Sequence, residues 1–366
     1  MKIAVFHNLE NGGALNFIKL ITQNLNKNNQ IDLYTFQKNI NKKLFKNVYL
    51  YKIKNRQNIF RDLIYVLTGL KDTHKQIAND IDTKNYDLVL IFPCLLTQSP
   101  YILRFLKHKE KIIYFFTEPK REFYESTSFD YWTIKKILAR IIRFPIKYID
   151  KKNCQFSQHI ICNSKFTAKN LKKIYGKNST VIYPGLKPIK PKIISIINNK
   201  KILSVGQLSK IKGYDFSIKQ LSGISNNLTI LGRETSESNK IYKIAKKKKI
   251  FLNLIQTEDD NIKNNLYKYY SIYLANNKKE PFGITTLEAT SNNCFILGKN
   301  EGGTPEIIKN NVNGYLYSNL TEARKILKKV LSQDKLKFKQ LNTIDWKYTS
   351  DKIVKYYYEH IKKQGS

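Results

Sequence analysis

Glu280 and Glu288 stand eight residues apart in "EPFGITTLEAT", on either side of a Pro-Phe-Gly turn. Pro281 and Gly283 keep the first acid out of a helix, because proline removes a donor and glycine is the poorest of the ordinary helix formers. Ile284 to Asn292 has the composition of a helix. Glu280 therefore belongs to the loop and Glu288 to the helix that follows. Free N–H groups of such a loop, with the positive end of the helix, form an anion site. Carboxylates beside it do not bind the anion; they accept hydrogen bonds from hydroxyls on either side of it. A diphosphate flanked by a ribose and a sugar has this layout. An ordinary capped helix with two surface acids has the same sequence, so the motif alone leaves both readings open.

The elements that would carry these residues alternate along the chain. "KIAVFHNL", "QIDLYTF", "NVYLYKI", "YDLVLIFP", "KIIYFFTEP" and "HIICNS" read as strands, several of them continuous apolar runs of the kind found in parallel sheets covered on both faces. "GGALNFIKLITQNLNKN" and "FRDLIYVLTGLKDTHKQIANDI" read as helices between them. Pro184, Pro188 and Pro191 then cluster with Gly185 and several lysines, the composition of an interdomain connection. The alternation restarts with "KILSVGQL" and runs through "NLTILG", "IFLNLI", "SIYLANN", "CFILGKN" and "NGYLYS". This predicts an α/β protein of two Rossmann-like doubly wound lobes facing across a cleft, with ligands at the carboxyl ends of the strands. The expected domains are 1–186, 187–345, and a terminal helix over 346–366 that crosses back to the first.

With 366 residues the chain is long enough for two cores. Its 65 Lys and Arg against 28 acids give a net charge of +37, which favours anionic partners or else reflects composition alone. Cys94, Cys154, Cys162 and Cys294 form no CxxC pair or zinc spacing and read as reduced thiols of a cytosolic protein. The start reads as a strand rather than a signal peptide, and no stretch is long and apolar enough to span a bilayer. The five histidines are scattered; His7 ends the first strand and reads as structural or as a site residue. Asp80-Ile81-Asp82 precedes a strand and reads as a solvated helix end rather than a metal motif.

Three further stretches accompany the acids: "VGQLSKIKGYDF" with Gly206, Lys212 and Gly213; "GKNEGGTPEIIKNNVNGYLY" with Gly302, Gly303 and Glu306; and "ENGGALN" with Gly12 and Gly13. In this order and spacing, together with "IICNSKFTAKNLKKIYGKNSTVIYPGL", they resemble the retaining nucleotide-sugar glycosyltransferases of family 4, which have the GT-B fold. The resemblance covers nearly the whole chain and is strongest from about Ile160 onward. It implies that Glu280 binds donor-sugar hydroxyls, Glu288 the ribose, and Lys212 the phosphates. The backbone at Phe282, Gly283, Ile284 and Thr285 would approach sugar and diphosphate, and Gly12 and Gly13 would let the first loop come close. Where the family usually has arginine this chain has Gln207, and Lys210 or Arg233 would have to supply the missing charge. Where relatives often carry His-Glu-Pro this chain has Thr117-Glu118-Pro119, a change at a donor- or acceptor-contacting position.

The mechanism implied is front-face transfer with retention, without a side-chain nucleophile, a metal or a cofactor beyond a UDP- or GDP-linked donor. On the acceptor side, "YWTIKKILARIIRFPIKYIDKK" sets Ile134, Ile137, Leu138 and Ile141 on one helical face and Lys136, Arg140 and Arg143 on another, after Trp132. That pattern fits a helix at an anionic membrane interface, or a helix packed on its lobe with a basic solvent face. The function expected is sugar transfer to a hydroxyl of a glycan or lipid-linked acceptor, in the cytoplasm or on the inner face of its membrane. The alternatives are a small-molecule or protein acceptor, or a non-catalytic nucleic-acid-binding or scaffold protein on the same frame; nucleic acid is the less expected partner.

Overall fold

Seven parallel strands in the order β3-β2-β1-β4-β5-β6-β7 organise one half of the chain, and six in the order β11-β10-β9-β12-β13-β14 organise the other. The structure, a computed structural model, describes residues 1–9, 12–38, 40–53, 58–125, 134–186, 193–196, 200–257, 259–333, 336–339 and 344–362. It divides into two compact units, Met1–Gly185 with Trp346–Ser366, and Leu186–Asp345.

The first unit runs β1 (Lys2–Asn8), α1 (Gly13–Leu25), β2 (Gln30–Thr35), β3 (Asn47–Leu50), α2 (Ile59–Leu67), α3 (Gly69–Asp82) and β4 (Leu88–Cys94). It continues through α4 (Ile102–Phe105), β5 (Ile112–Phe116), α5 (Arg121–Tyr124), α6 (Ile134–Gln155), β6 (His159–Cys162), α7 (Lys165–Tyr175) and β7 (Thr180–Val181). Every residue of β4 and β5 is buried, as their unbroken apolar sequence requires of central parallel strands. Ala4, Phe6, Ile91, Tyr114 and Phe116 pack on one face. On the other, Phe92 stacks on Phe115 at 4.5 Å, and Phe17 of α1 meets both rings and Trp346. Residues 60–81, whose pattern reads as one helix, fall in two. Thr68 leaves helical geometry (φ −118°, ψ −85°), so α2 packs on α6 while α3 packs on α4.

The second unit runs β8 (Ile193–Ile196), β9 (Ile202–Val205), α8 (Tyr214–Leu221), β10 (Asn227–Leu231), α9 (Ser238–Lys247), β11 (Phe251–Ile255), α10 (Asp260–Tyr269) and β12 (Ile272–Ala275). Then come α11 (Ile284–Ser291), β13 (Phe295–Lys299), α12 (Thr304–Ile307), β14 (Gly314–Tyr317), α13 (Leu320–Ser332) and β15 (Leu336–Lys339). β8 and β15 form a separate antiparallel pair that the sequence pattern does not announce. Alternate residues of each central strand feed two cores, Ile202, Ile230 and Leu274 on one side and Leu203, Leu231 and Tyr273 on the other. The last helix, α14 (Trp346–His360), packs against α1. All four cysteines are free and buried. Of the expected interdomain connection, residues 187–192 and 197–199 lie outside the described residues.

In each sheet the chain reverses direction beside its first strand, between β1 and β4 and between β9 and β12. Loops at the carboxyl ends of those strands flank a crevice where ligands of such folds bind. In the second unit the loop after β12 is clamped by the loop after β13: Gly303 N–H donates to Glu280 O at 2.7 Å. Gly302 has φ +68°, and a Cβ there would stand 2.5 Å from Glu280 O and 2.7 Å from Glu280 N.

Gly302→Ala therefore forces both a left-handed alanine and a backbone clash, and is expected to destabilise the second unit by about 2–4 kcal/mol. A denaturant midpoint equal to wild type would refute the clamp. His74 supplies a second test. It is wholly buried between Phe6, Phe36 and Tyr101, neither ring nitrogen has a partner among the described residues, and burial pushes its pKa down to about 3. The unfolded imidazole takes up a proton near pH 6.5 while the folded one stays neutral, so stability is full above that pH. It falls by about 1.4 kcal/mol for each unit below, down to the folded pKa. His74→Phe is expected to remove that loss. Urea unfolding at about pH 6.5 and about pH 4.5 should show the variant gaining on wild type as pH falls, and parallel curves would count against it.

Candidate functional site

Lys212 and Glu280 meet at the switch point of the second sheet. The loop after β9 carries Gly206, Gln207 and a 3₁₀ turn at Lys210–Lys212. The loop after β12 carries Asn276, Asn277 and Glu280. Lys212 Nζ lies 3.2 Å from Glu280 Oε2, and Asn277 Nδ2 donates to the same oxygen at 2.8 Å. Both charged side chains are about one-fifth exposed, so the pair is half-sheltered rather than sealed. Its geometry depends on Gly206: a Cβ there would stand 3.0 Å from Lys212 Cδ, because the lysine stem crosses the glycine on its way to Glu280. Tyr214 O–H donates to Gly206 O at 2.8 Å and holds the strand end in place.

Beneath this loop pair lies a buried polar cluster. Asn276 Nδ2 donates to Ser217 Oγ at 2.8 Å and to Gln220 Oε1 at 2.9 Å, and Tyr317 O–H donates to Asn276 Oδ1. Satisfied networks of this kind hold one backbone geometry, since any shift strands a buried polar group. They fix where β12 ends and so where Glu280 begins.

Glu288 sits one face of α11 away from the turn. Lys263 Nζ reaches its Oε1 at 2.7 Å and Tyr267 O–H donates to its Oε2 at 2.9 Å. Lys263 and Tyr267 are i and i+4 on α10, so one helical face supplies both partners. Burial and the nearby Glu288 carboxylate push the Tyr267 phenol well above its usual pKa, and it stays a donor. Phe282 is buried, Gly283 (φ +103°) precedes the first turn of α11, and Tyr273 O–H donates to Thr285 Oγ1 at 2.9 Å. Ile284 opens the helix. These residues, with Glu280 and Glu288, form one continuous strip of the second unit.

Gln207 lies in the same loop as Lys212. Its carbonyl accepts from Ser209 N–H at 2.7 Å. Arg233, exposed in the loop after β10, has its carbonyl bonded to Leu208 N–H at 2.8 Å, which sets the backbone of that loop beside the loop that carries Gln207. Lys210 N–H donates to Glu237.

The first-unit candidates form a separate set. Gly12 and Gly13 lie at the start of α1, and a Cβ on either meets nothing within 4 Å. Nothing inside the described chain therefore demands glycine there. Thr117 and Glu118 follow β5: Thr117 O accepts from Thr167 Oγ1 at 3.2 Å, and Glu118 lies 3.8 Å from Arg121. His7 is buried with its Nε2 3.4 Å from Thr35 Oγ1, and burial lowers its pKa to about 4, so it is a neutral core residue. Asp80 accepts from Tyr51 O–H and Asp82 from Lys107 N–H, a structural helix end. Among the described residues no three His, Cys, Asp or Glu side chains converge as metal ligands would.

The helix with the expected basic face differs from the pattern. Arg143 pairs with Glu122 at 3.0 Å and Arg140 donates to Phe123 O at 3.2 Å, so both turn toward α5 rather than toward solvent. Glu122 draws Arg143 inward, and a backbone carbonyl of the same segment holds Arg140. Leu138 and Ile141 are the exposed side chains instead. Trp132 and the Lys136 side chain lie outside the described residues.

Asn277, Lys263, Tyr267 and Tyr273 were not among the residues expected from sequence. For Lys263 and Tyr267 the signal was their i, i+4 spacing before "SIYLANN"; for Asn277 it was its place three residues ahead of Glu280.

Residues 187–341 match the family of glycosyl transferases group 1. The human alpha-1,3/1,6-mannosyltransferase ALG2 is 22% identical over 247 residues, which is 59% of this chain and 58% of that protein, so the chain spans little more than half of its curated relative. Among solved structures, sucrose-phosphate synthase from Thermosynechococcus elongatus aligns over 100% of this chain and 97% of its own, with a TM-score of 0.68 and 12% identity. A glycosyltransferase from Rickettsia africae aligns over 99% and 98%, with a TM-score of 0.63 and 16% identity. Anabaena HepE in complex with UDP and glucose aligns over 97% and 98%, with a TM-score of 0.63 and 14% identity. The chain thus has the two Rossmann-like α/β units of the GT-B glycosyltransferases, and over residues 187–341 it is similar to the group 1 glycosyl transferases.

Proposed function

We propose that this protein is a retaining glycosyltransferase that moves a sugar from a UDP- or GDP-linked donor to a hydroxyl of a glycan or lipid-linked acceptor. The observation that carries this reading is the Lys212–Glu280 pair at the switch point of a unit similar to group 1 glycosyl transferases. A cation and a carboxylate on adjacent loops are suited to a ligand with a diphosphate beside hydroxyls. When such a donor enters, the Lys212 ammonium turns from Glu280 to the phosphates, and Glu280, still held by Asn277, accepts from sugar hydroxyls. Glu288 exchanges Lys263 or Tyr267 for the ribose.

The chemical step needs stabilisation of the departing nucleoside diphosphate, whose charge rises as the glycosidic bond breaks. Lys212 supplies it in this chain, with Arg233 in the loop after β10 as the second cation in place of Gln207. The leaving phosphate takes the proton of the acceptor hydroxyl on the face it departs from. Glu280 binds the sugar and is not a nucleophile, and no metal enters the step. The complex of HepE with UDP and glucose lends support to a uridine donor; GDP-linked donors fit the same geometry.

Donor hydrolysis measured across UDP- and GDP-sugars tests the reading. Lys212→Ala and Glu280→Ala should each lower turnover roughly 10²–10³-fold. Full activity in both would refute the site, and absence of binding or hydrolysis of every sugar nucleotide would refute the function. Gly13→Ala separates function from fold. Alanine at the first helical position and with open space around it should leave the melting temperature unchanged or slightly higher. If the loop approaches the donor, turnover falls all the same; unaltered turnover would remove Gly12 and Gly13 from the donor site.

A further inference from the structure

The α2 and α6 helices break the usual rule that a surface helix turns its polar face outward. Their inner faces meet in one core cluster that includes Val66, Ile146 and Ile149. Their outer faces are apolar as well. On α2, Phe60, Ile64 and Leu67 recur at i, i+4 and i+7 and are 63%, 60% and 42% exposed. On α6, Leu138, Ile141, Phe144 and Tyr148 are 52% to 65% exposed and follow one another at helical spacing. These two mutually packed helices hold a large share of the exposed large hydrophobic side chains among the described residues. Such a concentration marks an interaction surface rather than scattered exposure.

Cations border it. Lys147 lies over the Phe144 ring at 5.5 Å and Lys152 over the Tyr148 ring at 5.9 Å, while Lys151 and Lys152 are exposed at the end of the α6 stripe. Arg61 on α2 and Lys71 and Lys75 on α3 are exposed as well; Asp62 and Asp72 lie next to Arg61 and Lys71, so on this side cations outnumber acids three to two. The nearby acids Glu122 and Glu125 are engaged by Arg143 and Arg121. Apolar stripes rimmed by lysines match a surface with an acyl interior and anionic headgroups. A second copy of this chain would bring the same lysine rim, and a net charge of +37, against its own kind. No helix among the described residues is long and apolar enough to cross a membrane, so the contact is lateral.

We propose that α2 and α6 form a two-helix seat for the surface of an anionic lipid bilayer, with Phe60, Ile64, Leu67, Leu138, Ile141 and Phe144 inserted. Arg140 and Arg143 are not the headgroup contacts; they brace α6 against α5. The seat does not depend on the sugar-transfer reading.

The full chain sedimented with vesicles of phosphatidylcholine, alone or mixed with phosphatidylglycerol, decides the matter. Wild type should pellet with the anionic vesicles. Ile64→Asp with Ile141→Asp should weaken that binding at least roughly tenfold, with an unchanged melting temperature because both positions are exposed. Lys151→Glu with Lys152→Glu should weaken binding to the anionic vesicles alone. Wild type that stays in solution overturns the proposal, as does wild-type binding by the aspartate variant or by the lysine variant. A dimer in sedimentation velocity that the aspartate variant breaks, without vesicle binding, would assign the surface to a second copy and overturn it too.

Discussion

The second unit is organised around one electrostatic constraint: Lys212 and Glu280 hold each other from two loops that leave the sheet on adjacent strands. Each charge would be costly at this degree of shelter without the other, since a half-buried ion needs a partner or water. The pair therefore fixes the mutual position of the loops after β9 and β12 in the absence of ligand. It also stores a cation and a hydroxyl acceptor at the same point. In the proposed function a diphosphate is a stronger partner for the ammonium than one carboxylate, and the exchange of partners proposed there needs charge alone.

The rest of the unit keeps those loops from relaxing. Gly206 leaves room for the lysine stem, and Gly302 and Gly303 press on the backbone of Glu280 and its neighbours. The Asn276 network with Ser217, Gln220 and Tyr317 anchors the strand end from below. Lys263 and Tyr267 do for Glu288 what Lys212 and Asn277 do for Glu280. Both acids are thus oriented by their neighbours, the condition under which electrostatic stabilisation of the proposed reaction would cost least.

The strands were legible because parallel sheets covered on both faces leave unbroken apolar runs, as in β4 and β5. The loop acids were legible because a Pro-Phe-Gly turn before a helix is a local signal. The break at Thr68 was not, because helical spacing continues across it and packing of α2 on α6 decides it. The turn of Arg140 and Arg143 toward α5 was not, because it depends on the Phe123 carbonyl and on Glu122, about twenty residues away in sequence. Tyr267 and Tyr273 are buried aromatics, and their hydroxyls, which serve Glu288 and Thr285, become visible when the sheet is assembled.

The lysine surplus and the tyrosine richness are physically linked. With 65 cations and 28 acids, ion pairing cannot serve most lysines, but the chain has 24 tyrosines. Lys84 lies over Tyr49 at 3.6 Å, Lys2 over Tyr86 at 4.9 Å and Lys352 over Tyr348 at 5.2 Å. Ring faces attract an ammonium without neutralising it. Charge is therefore retained at the surface while the lysine stems cover apolar area. Net charge alone then does not identify a binding face, because lysines lie over rings in both units and on the last helix. What singles out α2 and α6 is the apolar stripe inside the basic rim, a combination that the Lys246–Lys249 run at the end of α9 lacks: Lys247, Lys248 and Lys249 there border an open hollow in which Ile224 is the one large hydrophobic side chain, among Ser222, Ser225 and Asn226.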